Sequence, residues 1–191
     1  MRIAYLGWGS LVWDARTLGI RGGWQPDGPL LPVEFARQSR DDRITLVIVP
    51  EPYTSVRVLW ALADATDLDE ACAALGRREG IPEASWPLGV GRSPPPSATT
   101  TDEAVSAWAS NRGLEGVVWT ALAPRIGAEQ RMPTAEEVVS HLERLRGAKR
   151  SEAERYIRNA PRQSDTPYRP ASEARPGCVS GVGRQGAYPL L

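Results

Sequence analysis

Short runs of apolar residues in the first two thirds of the chain predict β-strands. Some runs alternate apolar and polar positions, as a half-buried strand does, whereas others are continuous and β-branched, as in a strand buried on both faces. The segment between Thr17 and Pro32 is rich in Gly and Pro and predicts a loop, and Pro50–Ser55 predicts a hairpin connection. The predicted strands are Arg2–Leu6, Leu31–Arg37, Ile44–Val49, Val56–Ala63 and Gly116–Leu122.

A helical period replaces the strand pattern after Asp67. Asp67 can cap a helix with Glu70 three residues on, and apolar residues recur at helical spacing from Leu68 to Leu75. Gly76 and Gly80 bracket the predicted end of this helix.

The remaining helices are predicted in the second half of the chain. A short helix is expected over Asp102–Asn111, and Thr134–Glu137 forms a capping box for a helix that Gly147 would stop. A second capping box, Ser151–Glu154, would begin a helix that Pro161 terminates. The pattern predicts one α+β domain with a mostly antiparallel sheet and a helical C-terminal region.

The composition argues against several classes of partner and location. The 191 residues carry 23 Lys+Arg and 23 Asp+Glu, and this balance argues against a nucleic-acid partner. The arginine-rich segment Arg125–Arg184 is interleaved with acidic residues and favours a solvated helical face. No apolar run is long enough for a membrane span, and the start lacks the features of a secretory signal.

Histidine and cysteine usage limits the chemistry further. A single histidine, His141, makes metal sites with several His ligands improbable. Cys72 and Cys178 lie far apart, which favours reduced thiols in the cytoplasm. A nucleophilic pair of Cys178 and His141 has no activating context in the sequence, so an unactivated cysteine is the better interpretation.

The first strand ends in a glycine-containing turn, Tyr5–Leu11. Gly7 and Gly9 allow the backbone to turn sharply and to bring its N–H groups close to a carboxylate or another small anion. Contact with a ligand and a plain strand-ending turn are equally compatible with the spacing. Trp8, Trp13 and Trp86 flank the candidate loops and could line a pocket.

Glu79 follows the first predicted helix, next to Arg77, Arg78 and Gly80. A carboxylate on a helix-ending loop can project into a cleft and transfer protons there. The sequence triplet alone favours a solvated cluster of charges instead.

Two motifs in this order resemble the γ-glutamylcyclotransferase-like superfamily. Trp8-Gly9-Ser10-Leu11 is similar to that group's Tyr-Gly-Ser-(Asn)-Leu loop, and Arg78-Glu79-Gly80-Ile81 is similar to the sequence around its catalytic glutamate. The resemblance covers about residues 1–122. Trp8 replaces the usual tyrosine of the loop, and Trp86 stands where related enzymes often carry a tyrosine seven residues beyond the glutamate.

The resemblance implies a fold and a reaction. The fold would be a mixed, mostly antiparallel sheet or barrel with flanking helices, with a core over residues 1–125 and a helical extension over 126–191 packed on the same domain. The reaction would release 5-oxoproline from a small γ-glutamyl amine or peptide without a cofactor or metal. Glu79 would be the general acid/base, and the Gly9, Ser10 and Leu11 amides would bind substrate together with Trp8 and Trp86.

Two other functions stay open at this point. A non-catalytic protein could bind a small molecule on the same scaffold, because fold does not fix function. Glu79 in a closed pocket would favour the enzyme, whereas a pocket filled by Trp8 and Trp86 with Glu79 paired to Arg77 or Arg78 would favour the binding protein. A cyclotransferase for a bulky γ-glutamylated amine is the other alternative.

Overall fold

The computed structural model describes residues 1–50, 54–94 and 100–169. Their largest sheet has five strands in the order β2-β7-β1-β9-β8, and two further two-stranded sheets pair β4 with β5 and β3 with β6. The strands are β1 (Ile3–Gly7), β2 (Ile20–Gln25), β3 (Leu30–Leu31), β4 (Val33–Gln38), β5 (Ile44–Ile48), β6 (Val56–Arg57), β7 (Leu59–Ala63), β8 (Val90–Ser93) and β9 (Gly116–Thr120).

Strand β1 lies at the centre of the main sheet. All five of its residues are buried, because the sheet is covered on both faces. β1 pairs with β7 in antiparallel and with β9 in parallel orientation, and the other pairs in this sheet are antiparallel. The sheet is open, with β2 and β8 at its edges. The α+β class with mostly antiparallel strands is therefore confirmed.

The strand predicted over Val56–Ala63 is divided at Val58. The Val58 N–H donates to the Pro29 carbonyl and its own carbonyl accepts from the Gly28 N–H, so the chain leaves the β3–β6 pair there and enters the main sheet as β7. The expected hairpin from β5 into this strand is wrong, because β5 pairs back onto β4. Part of that predicted connection lies outside the described residues.

The loop predicted between Thr17 and Pro32 is also wrong in part, because it contains β2 and β3. β2 pairs with β7 through a register shift between Arg21 and Gln25. Gly22 has φ +74° at this irregularity, a conformation that glycine adopts without steric cost. The glycines here accommodate a bulged edge strand.

Five α-helices are present in the described ranges, and the first of them carries Glu79. Asp67 accepts a hydrogen bond from the Glu70 N–H at the N-terminus, and Gly80 ends the helix in the left-handed conformation at φ 65°. Both caps were predicted from the sequence. The helices are α1 (Leu68–Glu79), α2 (Trp86–Gly89), α3 (Thr100–Ser110), α4 (Ala135–Arg144) and α5 (Gly147–Asn159).

The C-terminal helices differ from expectation at one boundary. The Thr134 capping box is confirmed, but α4 ends at Arg144, and Gly147 begins α5 where it was predicted to stop α4. Ser151 lies inside α5 and its hydroxyl donates back to the Gly147 carbonyl, so the second box does not begin a helix. The Ser-x-x-Glu spacing is therefore not sufficient to locate a helix start.

The C-terminal helices share one core with the sheet. Val138, Leu142 and Ile157 pack in the same apolar cluster as Leu6 and Phe35, so these parts form a single domain. The Ser164 hydroxyl donates to the Trp8 carbonyl at 3.3 Å, and fastens the residues after α5 to the turn after β1. No helix within the described ranges combines the length and apolar character needed to cross a bilayer.

Candidate functional site

A cavity of about 640 Å³ lies between the turn after β1, the C-terminal end of α1 and the β4–β5 hairpin. Three predicted elements meet at this cavity: the Gly9–Leu11 turn, the Trp8 residue before it and Glu79. Tyr156 of α5 also lines it. The sheet topology explains why the turn after β1 and the end of α1 lie close together: α1 packs along β9, and β9 is the parallel neighbour of β1.

The turn presents unused backbone donors. The Gly9 carbonyl accepts from the Val12 N–H at 3.0 Å and the Ser10 carbonyl accepts from the Asp14 N–H at 2.9 Å, which fixes the turn. Within the described residues, the N–H groups of Gly9, Ser10 and Leu11 have no acceptor. Neighbouring backbone N–H groups of this kind suit a carboxylate or an oxyanion.

Tyr156 closes the back of the turn and was not singled out in the sequence. Its hydroxyl accepts a hydrogen bond from the Leu46 N–H at 3.2 Å, and a Cβ atom at Gly9 would collide with it. Gly9 therefore permits close approach of the two elements. Burial, with a smaller contribution from the Glu79 charge, raises the pKa of Tyr156 to about 12, so the phenol stays protonated at neutral pH.

Glu79 is the last residue of α1, and its side chain is 19% exposed at the cavity wall. Arg78 Nη1 donates to Glu79 Oε1 at 2.6 Å, from a guanidinium that is only 3% exposed. Both Arg78 Nη atoms also lie 3.4 Å from the Ser10 hydroxyl oxygen, and Nη2 donates to the Asp14 carbonyl. Arg78 thus fixes the carboxylate of Glu79 relative to the turn.

The two tryptophans of the predicted site lie in different places. Trp8 is buried, and its indole N–H donates to the Leu46 carbonyl at 3.2 Å. Trp86 donates its indole N–H to the Ile81 carbonyl at 2.9 Å and packs closely on Gly76. Trp86 lines a second cavity, of about 930 Å³ and mostly apolar, whereas Glu79 and the turn line the first.

Arginine side chains dominate the charge of the first cavity. Arg43 pairs with Asp41 at 2.6 Å, and Arg16 pairs with Asp14 at 3.3 Å. Among the described residues, the arginines that line this cavity are Arg16, Arg37, Arg40, Arg43, Arg78 and Arg125, against two carboxylates, Asp41 and Glu79. Arg125 therefore does not lie on the solvated helical face that its segment predicted.

The features expected to separate an enzyme from a binding protein are mixed. Glu79 is paired with Arg78, which was expected of a binding protein. The cavity, however, is not filled by tryptophan: Trp8 forms part of its wall and Trp86 lines the other cavity. The Arg78–Glu79 pair also leaves one carboxylate oxygen of Glu79, Oε2, outside that hydrogen bond.

The other sequence candidates lie away from this arrangement. His141 is buried, with Nε2 2.7 Å from the Asp42 carbonyl oxygen. Cys178 lies outside the described residues. In the described ranges, no group of three His, Cys, Asp or Glu side chains is placed to hold a metal ion.

Comparison of the chain with models of protein families, and with curated proteins, finds no match.

Proposed function

We propose that this protein is a γ-glutamylcyclotransferase-like enzyme that releases 5-oxoproline from a small γ-glutamyl amine or peptide. The observation that carries the proposal is that Glu79 and the Gly9–Leu11 turn line one cavity, with Arg78 hydrogen-bonded to both. A base and a set of oxyanion donors at one site are what an intramolecular acyl transfer requires.

The reaction uses a nucleophile that belongs to the substrate. Glu79 takes a proton from the substrate α-ammonium, and the free amine attacks the γ-carbonyl carbon. The new C–N bond closes the five-membered ring, the bond to the original amide nitrogen breaks, and Glu79 returns the first proton to that leaving nitrogen. The second proton of the ring nitrogen then passes to Glu79 and on to the released amine, which leaves a neutral lactam N–H and an ammonium product. Atoms and charge balance without an external nucleophile, and one carboxylate serves all of these transfers.

The turn and Arg78 supply position and charge. The N–H groups of Gly9, Ser10 and Leu11 donate to the glutamyl α-carboxylate or to the oxyanion that develops on the γ-carbonyl. Arg78 donates a hydrogen bond to Oε1 of Glu79. This bond fixes the orientation of the carboxylate, so its other oxygen, Oε2, is held in one position for the substrate. Tyr156 remains neutral behind the turn, where its hydroxyl accepts a hydrogen bond from the Leu46 N–H.

The proposal includes a cytoplasmic setting and a small molecule as the partner. Two cysteines far apart in the sequence suit reduced thiols, and balanced charge gives no general attraction for nucleic acid.

The test is 5-oxoproline release from a panel of γ-glutamyl compounds: glutathione, γ-glutamyl dipeptides and γ-glutamylamines. Glu79→Gln should lower the rate by about 10² to 10⁴-fold, the usual contribution of a general acid/base. Glu83→Gln is the matched control, because Glu83 is exposed and lines the other cavity. A near-normal rate for Glu79→Gln would remove Glu79 from the mechanism.

The second candidate is a non-catalytic protein that binds an anionic small molecule in the same cavity. The observation that favours it is the Arg78–Glu79 ion pair, which neutralises the carboxylate proposed as the base. Folded protein that binds γ-glutamyl compounds, with no 5-oxoproline release across the panel, would support this function over the enzyme.

A further inference from the structure

Three arginines of the Glu79 cavity have no carboxylate partner among the residues that the structure describes. Arg37, Arg40 and Arg125 form no ion pair within the described residues, whereas Arg16, Arg43 and Arg78 each do. The two carboxylates that line the cavity are already paired, Asp41 with Arg43 and Glu79 with Arg78. The β4–β5 side of the cavity therefore carries uncompensated positive charge.

Backbone contacts hold two of these arginines in place. Arg37 Nη1 donates to the Ala123 carbonyl, and Arg125 Nη2 donates to the Gln38 carbonyl at 3.0 Å. Their backbones form an isolated parallel bridge with each other, so each side chain reaches a carbonyl near the other residue. These guanidinium groups cannot move into solvent without losing those hydrogen bonds.

The positive charges of these arginines act on one another. Burial, then the charges of Arg125 and Arg40, lowers the pKa of Arg37. Arg125 Nε is buried and has no hydrogen-bond partner in the described ranges, which leaves a donor unused. Arg40 is exposed and has no hydrogen bond or ion pair among the described residues.

We propose that Arg37, Arg40 and Arg125 form a subsite for a group that carries at least two negative charges, either a dicarboxylate or a phosphate. Guanidinium groups bind both through paired N–H donors, and a dianion offsets two of the three positive charges where a monoanion offsets only one. Placing the subsite in the substrate rests on the proposed function: the leaving amine would carry the dianion, while its γ-glutamyl end lies at Glu79.

Binding of the anion is measured apart from catalysis. Isothermal titration of the full-length protein with inorganic phosphate and with succinate should give saturable binding, and acetate should bind at least about tenfold more weakly. Phosphate and succinate together distinguish the two sources of the dianion. The tighter of them defines the group, and two equal affinities indicate a general dianion subsite.

Arg40→Gln is the decisive variant because its side chain is exposed and forms no hydrogen bond or ion pair within the described residues. It should weaken dianion binding by about three- to tenfold, and Arg40→Glu by more. Arg37→Gln and Arg125→Gln should weaken it further, and a thermal melt checks that they remain folded. Arg158→Gln removes the same charge from an exposed site on α5 and should change nothing.

Turnover then connects the subsite to the substrate. Release of 5-oxoproline should be faster, as kcat/KM, from γ-glutamyl-glutamate or a γ-glutamylated phosphoamine than from γ-glutamyl-glycine, and Arg40→Gln should remove that preference. Dianion binding without any turnover would contradict the proposed function but keep the subsite. Dianions that bind no better than acetate, or equal effects of Arg40→Gln and Arg158→Gln, would overturn the subsite whatever the turnover.

Discussion

The two cavities described above differ in chemistry more than in size. The larger, about 930 Å³, is walled mostly by apolar groups such as Trp86 and Trp119, and two of its charged residues, Asp69 and Arg92, pair with each other. The smaller, about 640 Å³, has Glu79 together with backbone donors and arginines that have no partner in the part of the chain that the structure describes. Volume and apolar lining alone would select the larger cavity as the ligand site. The fixed charges and donors select the smaller, because reactions need groups that can move protons and stabilise charge.

The largest expected contrast in stability concerns one arginine from each cavity. Arg78→Gln removes a buried cation and leaves Glu79 without its partner, so the free energy of unfolding should fall by about 2–3 kcal/mol. Arg92→Gln breaks a pair in which Asp69 is 86% exposed, and should cost under about 1 kcal/mol. Urea unfolding of both variants measures the difference, and equal losses would contradict the buried role of Arg78.

Glycine substitutions separate structure from function at the two cavities. Gly9→Ala would drive a Cβ into the Tyr156 hydroxyl, and Gly91→Ala would drive one into the Trp119 ring. Each should destabilise the fold by about 1–3 kcal/mol through overpacking. Only Gly9→Ala should also lower 5-oxoproline release, because it displaces the turn. If Gly91→Ala lost activity to the same degree, the loss in Gly9→Ala would come from general destabilisation and not from displacement of the turn.

A pair of buried tyrosines offers a smaller contrast. Tyr156→Phe leaves the buried Leu46 N–H without its acceptor, and Tyr5→Phe removes a 3.3 Å hydrogen bond to the Ala71 carbonyl. Each should cost about 1 kcal/mol of unfolding free energy. The kcat for 5-oxoproline release should fall in Tyr156→Phe alone, since Tyr5 lines neither cavity. Chemical denaturation and steady-state kinetics on the same preparations test both parts.

The smallest expected effect concerns the thiol at the apolar cavity. Burial raises the pKa of Cys72, so its reactive thiolate is scarce at neutral pH and increases only as the pH rises above the ordinary thiol range. Alkylation at Cys72, located by peptide mass spectrometry, should therefore be slower at pH 8 than for the same peptide when unfolded. Alkylated protein should keep its rate of 5-oxoproline release. A loss of activity would show that a change in the apolar cavity affects the reaction at Glu79.

Local signals determined how much of the fold could be predicted. The Asp67 and Thr134 side chains accept hydrogen bonds from N–H groups three residues further on. Because this contact is local, a short sequence pattern was sufficient to predict the caps of α1 and α4. The parallel pairing of β1 with β9 joins segments far apart in the chain and leaves no short pattern. Gly147 was misassigned because a glycine in the left-handed conformation can begin a helix as well as follow one.

The residues of the candidate site also fall into two groups, those that a local motif predicts and those that only tertiary packing brings together. Glu79 and the Gly9–Leu11 turn, which line one cavity, were predicted from motifs of a few residues each. Tyr156 was missed because its position in α5 marks it only as a core residue, and its contact with the turn depends on tertiary packing. The arginine subsite was missed because Arg37 and Arg125 meet through a β-bridge between distant segments.

Two contacts join the turn after β1 to the C-terminal region: Ser164 donates to the Trp8 carbonyl, and Tyr156 lies behind Gly9. Both partners are synthesised after the sheet. A nascent chain that has released only the sheet and α1 already contains Glu79 and the turn, but it lacks the wall that supports them. The cavity therefore becomes complete only after α5 and Ser164 have left the exit tunnel. Stalled chains of increasing length should gain ligand binding late, after the sheet has begun to resist proteolysis.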